Sequence, residues 1–213
     1  MPFLTLDADI LLYIQDHIRS SFLDKIFPNI TFLGDAGIFW ILLTVVFLCF
    51  KKTRRAAVCS AIALVGSLLL NNCILKPLVN RTRPYELIEG LVLIGEKAKD
   101  GSFPSGHTAA SIASAVAMCR YLKKRWYLPL IGLALMISFS RLYIGIHYPT
   151  DVLVGLLDGI LLAVIAWVIE SKLYRGVPKY AAFAGTDTAI AGKSPDDKSS
   201  DDHKENDDTT IVV

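Results

Sequence analysis

Five stretches of this chain are apolar and close to the ~20 residues that a helix needs to cross a bilayer, so they read as membrane spans. They cover roughly residues 30–50, 56–75, 104–121, 127–146 and 152–170. The polar residues between them are sorted by charge. Basic clusters follow the first span (KKTRR, Lys51 to Arg55), the third (RYLKKRW, Arg120 to Trp126) and the fifth (Lys172, Arg175, Lys179). With alternating helices all three clusters fall on one side, which the excess of Lys and Arg marks as cytoplasmic. Residues 76–103 and the stretch around His147 then share the opposite, extracytoplasmic face. Trp126, Tyr127 and Trp167 near the inner ends, and Tyr143 and Tyr148 near the outer, suit interfacial belts.

The two ends of the chain follow other patterns. In residues 4–18, Leu4, Leu6, Ile10, Leu11, Ile14 and Ile18 stand against Asp7, Asp9 and Asp16. That predicts an amphipathic helix, too charged to span, lying on the outer surface. The start lacks a basic n-region, so no signal peptide is expected. From about Gly185 onward the sequence is polar, acidic and poor in aromatics, and it predicts a disordered cytoplasmic tail. The expected organisation is an interfacial helix over 1–25, a membrane domain over 26–175 and an acidic tail over 180–213.

Composition agrees with an all-α integral membrane protein, since 53% of the 213 residues are hydrophobic. The net charge of +2 is uneven: Asp187 to Val213 holds eight acids and three bases, net −5, leaving +7 on the rest. Nothing points to a nucleic-acid partner, and no obligate protein partner is inferred. Cys49, Cys59, Cys73 and Cys119 lie singly in apolar runs and read as small buried hydrophobes. The third span, rich in Ala, Ser and Gly, is expected at the centre of the bundle, because small residues let helices approach closely. Asp158 in the fifth span and Asn71 with Asn72 in the second are polar groups at membrane depth. Asp158 is expected to be hydrogen-bonded inside the bundle.

Three polar clusters meet on the predicted outer face. KPLVNRTRP (Lys76 to Pro84) leaves the second span, PSGH (Pro104 to His107) enters the third, and SRLYIGIHYPTD (Ser140 to Asp151) joins the fourth to the fifth. Each suits a phosphate. Lys76, Arg83 and Arg141 offer cationic donors, and the arginine fork fits phosphate oxygens. Pro104 predicts a helix start that aims the amides of Ser105, Gly106 and His107 at an anion. Pro149 at a first helical position puts Asp151 in the first turn, where it can accept from one nitrogen of His147 and leave the other nucleophilic. His107 is free for acid and base work. Taken singly, each cluster also suits solvated charge, headgroup contacts or a snorkelling arginine.

Together they resemble the type 2 phosphatidic acid phosphatase (PAP2) family, whose pattern is K-x6-RP, PSGH and SR-x5-H-x3-D. The chain matches all three motifs, with the resemblance extending over about residues 30–170. Family members usually have six membrane helices; here five are counted plus the amphipathic start. The resemblance implies a PAP2-type helical bundle and the following roles. His147 attacks phosphorus and forms a phosphohistidine, Asp151 orients it, and His107 protonates the departing oxygen and then activates water. Lys76, Arg83, Ser105, Gly106 and Arg141 hold the phosphoryl oxygens. It also implies no metal and no cofactor, and the acids of the outer loop (Glu86, Glu89, Glu96, Asp100) read as solvated.

The substrate implied is a lipid phosphate or diphosphate. Size and general likeness favour undecaprenyl diphosphate, with phosphatidic acid and phosphatidylglycerophosphate as alternatives, and Arg81 adds a further cation that suits a diphosphate. A lipid phosphotransferase would share every catalytic group, and a non-catalytic lipid binder is the other class considered. The related vanadium haloperoxidases are soluble, unlike a chain with five spans. The segment Glu86 to Lys97 either dips into the leaflet beside the lipid or packs onto the bundle.

Overall fold

The computed structural model describes residues 2–175, and every described element is helical. The expected acidic tail and Lys179 lie outside the described residues. The order is α1 (Pro2–Tyr13), continued by a π-helical turn (Ile14–Ile18), α2 (Leu23–Phe32), α3 (Ile38–Cys49), α4 (Arg54–Ser67), a π-helical stretch (Leu68–Leu75) and α5 (Lys76–Val79). Then come α6 (Pro84–Leu87), α7 (Gly106–Cys119), α8 (Lys124–Tyr143) and α9 (Pro149–Leu173).

Among the described residues, three stretches are long and apolar enough to cross a membrane: Arg54–Leu87, Lys124–Tyr143 and Pro149–Leu173. The other two predicted spans are shorter. The first breaks between α2 and α3 at Gly34 to Gly37, where Gly37 takes φ +68°, a conformation that favours glycine. α2 crosses the expected boundary at residue 25. The third span, α7, has only 14 residues, but it is wrapped by α4, α8 and α9. Surrounded by protein, it does not need the apolar surface that lipid demands.

Small residues make this central position possible. A Cβ on Gly155 would sit 2.7 Å from the Ser105 carbonyl oxygen, and one on Gly159 would sit 2.8 Å from that of Ala109. The two glycines, four apart on α9, thus let α7 and α9 meet backbone to backbone. Hydroxyls add hydrogen bonds in the interior: Trp40 Nε1 donates to Ser111 Oγ (2.9 Å), while Ser60 Oγ pairs with Thr44 Oγ1 (2.7 Å) and Ser114 Oγ (2.6 Å). At one end of the bundle, Arg55 of α4 and Tyr121 of the α7–α8 turn both bond to buried Glu170 of α9. That contact brings the first two basic clusters to the same end as Lys172 and Arg175, the described members of the third.

Several polar expectations change. Only Cys59 of the four cysteines is buried; Cys49 and Cys73 are exposed and Cys119 is intermediate. Asp158 is half-buried, and its Oδ2 has no hydrogen-bond partner among the described residues. Asn71 is buried and donates to Ser67 Oγ (3.3 Å). At the other end, α1 presses Leu11 against Leu91 and Tyr148, and Ile14 packs among Tyr143, Ile144 and Ile146. Its Asp7, on the face expected to be solvated, is buried. The loop after α6 packs on this helix: Gln15 donates to Gly90 O (3.0 Å) and accepts from Val92 N (2.8 Å), and Arg19 donates to Val92 O (2.7 Å). Val92 and Leu87 remain on the surface.

Candidate active site

The turn between α8 and α9 delivers His147. Gly145 makes the turn at φ +78°, and the amides of Ile146 and His147 both return to the Arg141 carbonyl (3.2 and 3.3 Å). Tyr148 caps α9, Pro149 opens it, and Asp151 reaches back so that its Oδ2 accepts from the Tyr148 amide (3.0 Å). The predicted local structure is therefore present.

The contacts of His147 assign its protons. Arg83 Nη1 lies 3.2 Å from His147 Nε2, and a guanidinium can only donate, so Nε2 carries the lone pair. The proton then sits on Nδ1, which faces Asp151 Oδ2 and Ser102 Oγ, both at 3.5 Å. Ser102 Oγ also donates to Asp151 Oδ2, bridging a histidine–carboxylate contact that is itself long. Burial pushes the imidazole down from 6.5 to about 3; the Asp151 bond opposes this, and Arg141 and Arg83 reinforce it. The ring is neutral at physiological pH.

Arg83 touches this nitrogen, and Arg141 adds a second positive charge near the ring. Arg83 is clamped by the Ile146 carbonyl (2.9 Å), the Asp100 carbonyl (3.1 Å), the Gly101 carbonyl (3.1 Å) and Asp100 Oδ1 (2.6 Å). Lys76 binds the other oxygen of Asp100. Asp100 was expected to be solvated, yet it bridges two of the phosphate-binding candidates. Burial alone would raise its carboxyl, but Lys76 and Arg83 hold it below the usual range. Arg141 is buried, donates to Thr31 Oγ1 (2.6 Å), and keeps a buried Nε with no partner among the described residues.

The PSGH segment differs in detail from its expectation. α7 begins at Gly106, with Ser105 as its N-cap, so Pro104 lies outside the helix. The Ser105 amide is spent on the Asp151 carbonyl (3.1 Å), and its hydroxyl accepts from Thr108 (3.0 Å). A side chain at Gly106 would meet Asn72 Oδ1 at 3.2 Å, so the glycine keeps Lys76 and Asn72 close to the helix end. His107 Nε2 lies 2.7 Å from Asp35 Oδ1, and Gly34 leaves room for the ring, since a Cβ there would sit 2.8 Å from His107 Cδ2. That hydrogen bond, before burial or charge, holds Asp35 below the usual carboxylate range.

Sequence reasoning missed Asp35, Ser102, Asp7 and Thr31. Asp35 had a visible signal, an acid between glycines inside an apolar stretch; Ser102 and Thr31 had none. Arg81 sits elsewhere than predicted: its guanidinium binds Asp151 Oδ1 (2.6 Å) and Asp7 Oδ2 (2.9 Å) rather than facing a second phosphate. A cavity of about 580 Å³ opens beside the site. Lys76, Asp100, Gly106 and His107 line its head, and Ile41, Val45, Leu48, Leu64 and Leu68 of the α3–α4 side line its apolar body.

The sequence model of the PAP2 superfamily matches residues 56–175, more than half of the chain. The chain belongs to the PAP2 superfamily. Among curated relatives of this PAP2 protein, the undecaprenyl-diphosphatase of Sulfolobus acidocaldarius is 33% identical over 62% of this chain and 64% of its own length, a little under two thirds. A lipid A 4′-phosphatase of Bacteroides thetaiotaomicron is 29% identical over 88% of this chain and 84% of its own. The crystal structure of Aquifex aeolicus LpxE superposes with a TM-score of 0.67 at 27% identity, covering 79% of this chain and 96% of that one. With this membership and its helices long and apolar enough to cross a membrane, the chain is a membrane protein of the PAP2 superfamily.

Proposed function

We propose that this protein is a lipid phosphatase that converts undecaprenyl diphosphate to undecaprenyl phosphate and inorganic phosphate through a phosphohistidine on His147, at the extracytoplasmic surface. The observation that carries the chemistry is the His147 Nε2 lone pair held 3.2 Å from Arg83 Nη1. A neutral nitrogen among cations is a nucleophile placed where an anionic phosphoryl group is attracted. Nε2 attacks the terminal phosphorus, and the bond to the bridging oxygen breaks. His107, steadied by Asp35, protonates the departing lipid phosphate and then takes a proton from water, which cleaves the P–N bond and releases phosphate. Asp151 accepts from Nδ1–H and stabilises the positive charge that develops on the ring. Lys76, Arg83 and Arg141 exchange their present partners for phosphoryl oxygens, with Ser105 and Gly106 shaping the wall of that pocket.

The lipid choice is supported by the Sulfolobus acidocaldarius relative and by the apolar cavity. That cavity runs beside α3, where Ile41 to Leu48 covers about 10 Å of helix at 1.5 Å per residue. The extracytoplasmic orientation is supported by the basic clusters gathered at the far end of the bundle. The test is phosphate release in mild detergent with EDTA present, from undecaprenyl diphosphate, phosphatidylglycerophosphate, phosphatidic acid and lipid A in parallel. Fastest release from undecaprenyl diphosphate, abolished by His147→Ala, is expected. A higher kcat/KM for another of the lipids would replace the substrate, and transfer to a lipid acceptor without free phosphate would make the protein a transferase.

A further inference from the structure

Asp151 divides its two oxygens between two tasks. Oδ2 accepts from the Tyr148 amide and Ser102 and faces His147; Oδ1 accepts from Arg81 Nη1 at 2.6 Å. Arg81 is itself held on three sides. Its Nη1 also donates to Thr150 Oγ1 (2.8 Å), its Nη2 donates to Asp7 Oδ2 (2.9 Å), and its guanidinium lies 3.7 Å from the centroid of the Tyr148 ring. Asp7, only 2% exposed, then locks to α9, accepting from the Thr150 amide (3.1 Å) and hydroxyl (2.6 Å). A buried carboxylate on an N-terminal helix needs a reason, and here both its oxygens are committed to the turn that carries His147 and Asp151.

We infer that Arg81 and Asp7 form a positioning relay that fixes the rotation of Asp151, and through it the ring of His147, so that the N-terminal helix is a working part of the catalytic site. The inference rests on the reading of His147 as nucleophile and Asp151 as its orienting partner. Arg81 touches no reacting atom. Without Nη1 on Oδ1, Asp151 is held only through Oδ2, by the Tyr148 amide and Ser102, and its carboxylate turns about that pivot, so that the 3.5 Å approach to Nδ1 is lost.

The test uses the full chain in detergent and compares wild type, Arg81→Gln, Asp7→Asn, the double variant, Arg83→Gln and His147→Ala. Readouts are kcat, KM and inhibition by inorganic phosphate, with the thermal midpoint as the check of folding. Arg81→Gln and Asp7→Asn should each lower kcat roughly ten- to a hundredfold while KM and phosphate inhibition stay within about twofold. The double variant should be no worse than Arg81→Gln alone, because both act on one link. Unchanged kcat in Arg81→Gln overturns the relay. A raised KM and weakened phosphate inhibition in Arg81→Gln, like those of Arg83→Gln, also overturn it by making Arg81 a phosphate ligand. Should Arg81→Gln fail to fold, Asp7→Asn decides the matter on the same criteria. Activity surviving in His147→Ala would instead sink the reading beneath the relay.

Discussion

Asp35 Oδ1 stands 2.7 Å from His107 Nε2, joining the turn between α2 and α3 to the first turn of α7. With that nitrogen occupied, Nδ1 of His107 is left for the proton transfer of the proposed mechanism, in which the carboxylate would stabilise the donating imidazolium. Asp35→Asn should therefore lower kcat for lipid diphosphate by about a hundredfold, the low end of a general acid's contribution. The loss should shrink with p-nitrophenyl phosphate, whose leaving group needs no proton. Equal losses on the two substrates would show that Asp35 acts on folding or binding.

Asp100 holds Lys76 and Arg83 as an anion in the place where a phosphoryl group would be bound. Its side chain is half exposed, so it competes with phosphate at modest strength. Asp100→Asn should tighten inhibition by inorganic phosphate about fivefold, equivalent to about 1 kcal/mol for a partly exposed pair. A steady-state inhibition series measures this. Weaker inhibition would mean that Asp100 organises the two cations rather than competing for them.

Gly159 lets α9 lie against α7, and an added Cβ would come within 2.8 Å of the Ala109 carbonyl and of Ile112 Cβ. Gly159→Ala should destabilise the protein by about 1–3 kcal/mol and lower its thermal midpoint by several degrees. Activity should fall with it, because α7 carries His107. An unchanged midpoint would contradict the close packing.

The His147 ring gives a pH dependence of stability with a definite sign. Its folded value, about 3, lies below the 6.5 of an unfolded histidine, so below 6.5 the unfolded chain binds the extra proton. Stability from this group is complete above pH 6.5 and declines as pH falls toward 3. His147→Gln should flatten that part of the thermal-midpoint curve between pH 6.5 and 4. An identical slope in the variant would remove His147 as its source.

Much of this was readable from the sequence, for reasons that differ by residue. The turn at Pro149 and Asp151 is local, set by proline at the first helical position and an acid two residues on, so three residues suffice to predict it. The centrality of α7 follows from its Ala and Ser content. Asp7 and Ser102 were illegible because their partners, Arg81 and Asp151, lie 74 and 49 residues away, and a single sequence carries no record of such contacts; Asp35 stood out as an acid between glycines, but its partner His107, 72 residues on, did not. The amphipathic pattern even misplaced Asp7, since a polar face that meets another polar site looks the same in sequence as one that meets water. The shortness of α3 and α7 was missed because hydropathy counts apolar residues and does not see where glycine or an N-cap serine ends the helix.

The most direct test of the central claim is to trap the covalent intermediate. Enzyme mixed with undecaprenyl diphosphate labelled in its terminal phosphate, and quenched with alkali within the first turnover, should carry acid-labile label on a peptide containing His147. His147→Ala should carry none and release no phosphate. Label on a different residue, or phosphate release by His147→Ala at the wild-type rate, would contradict the account.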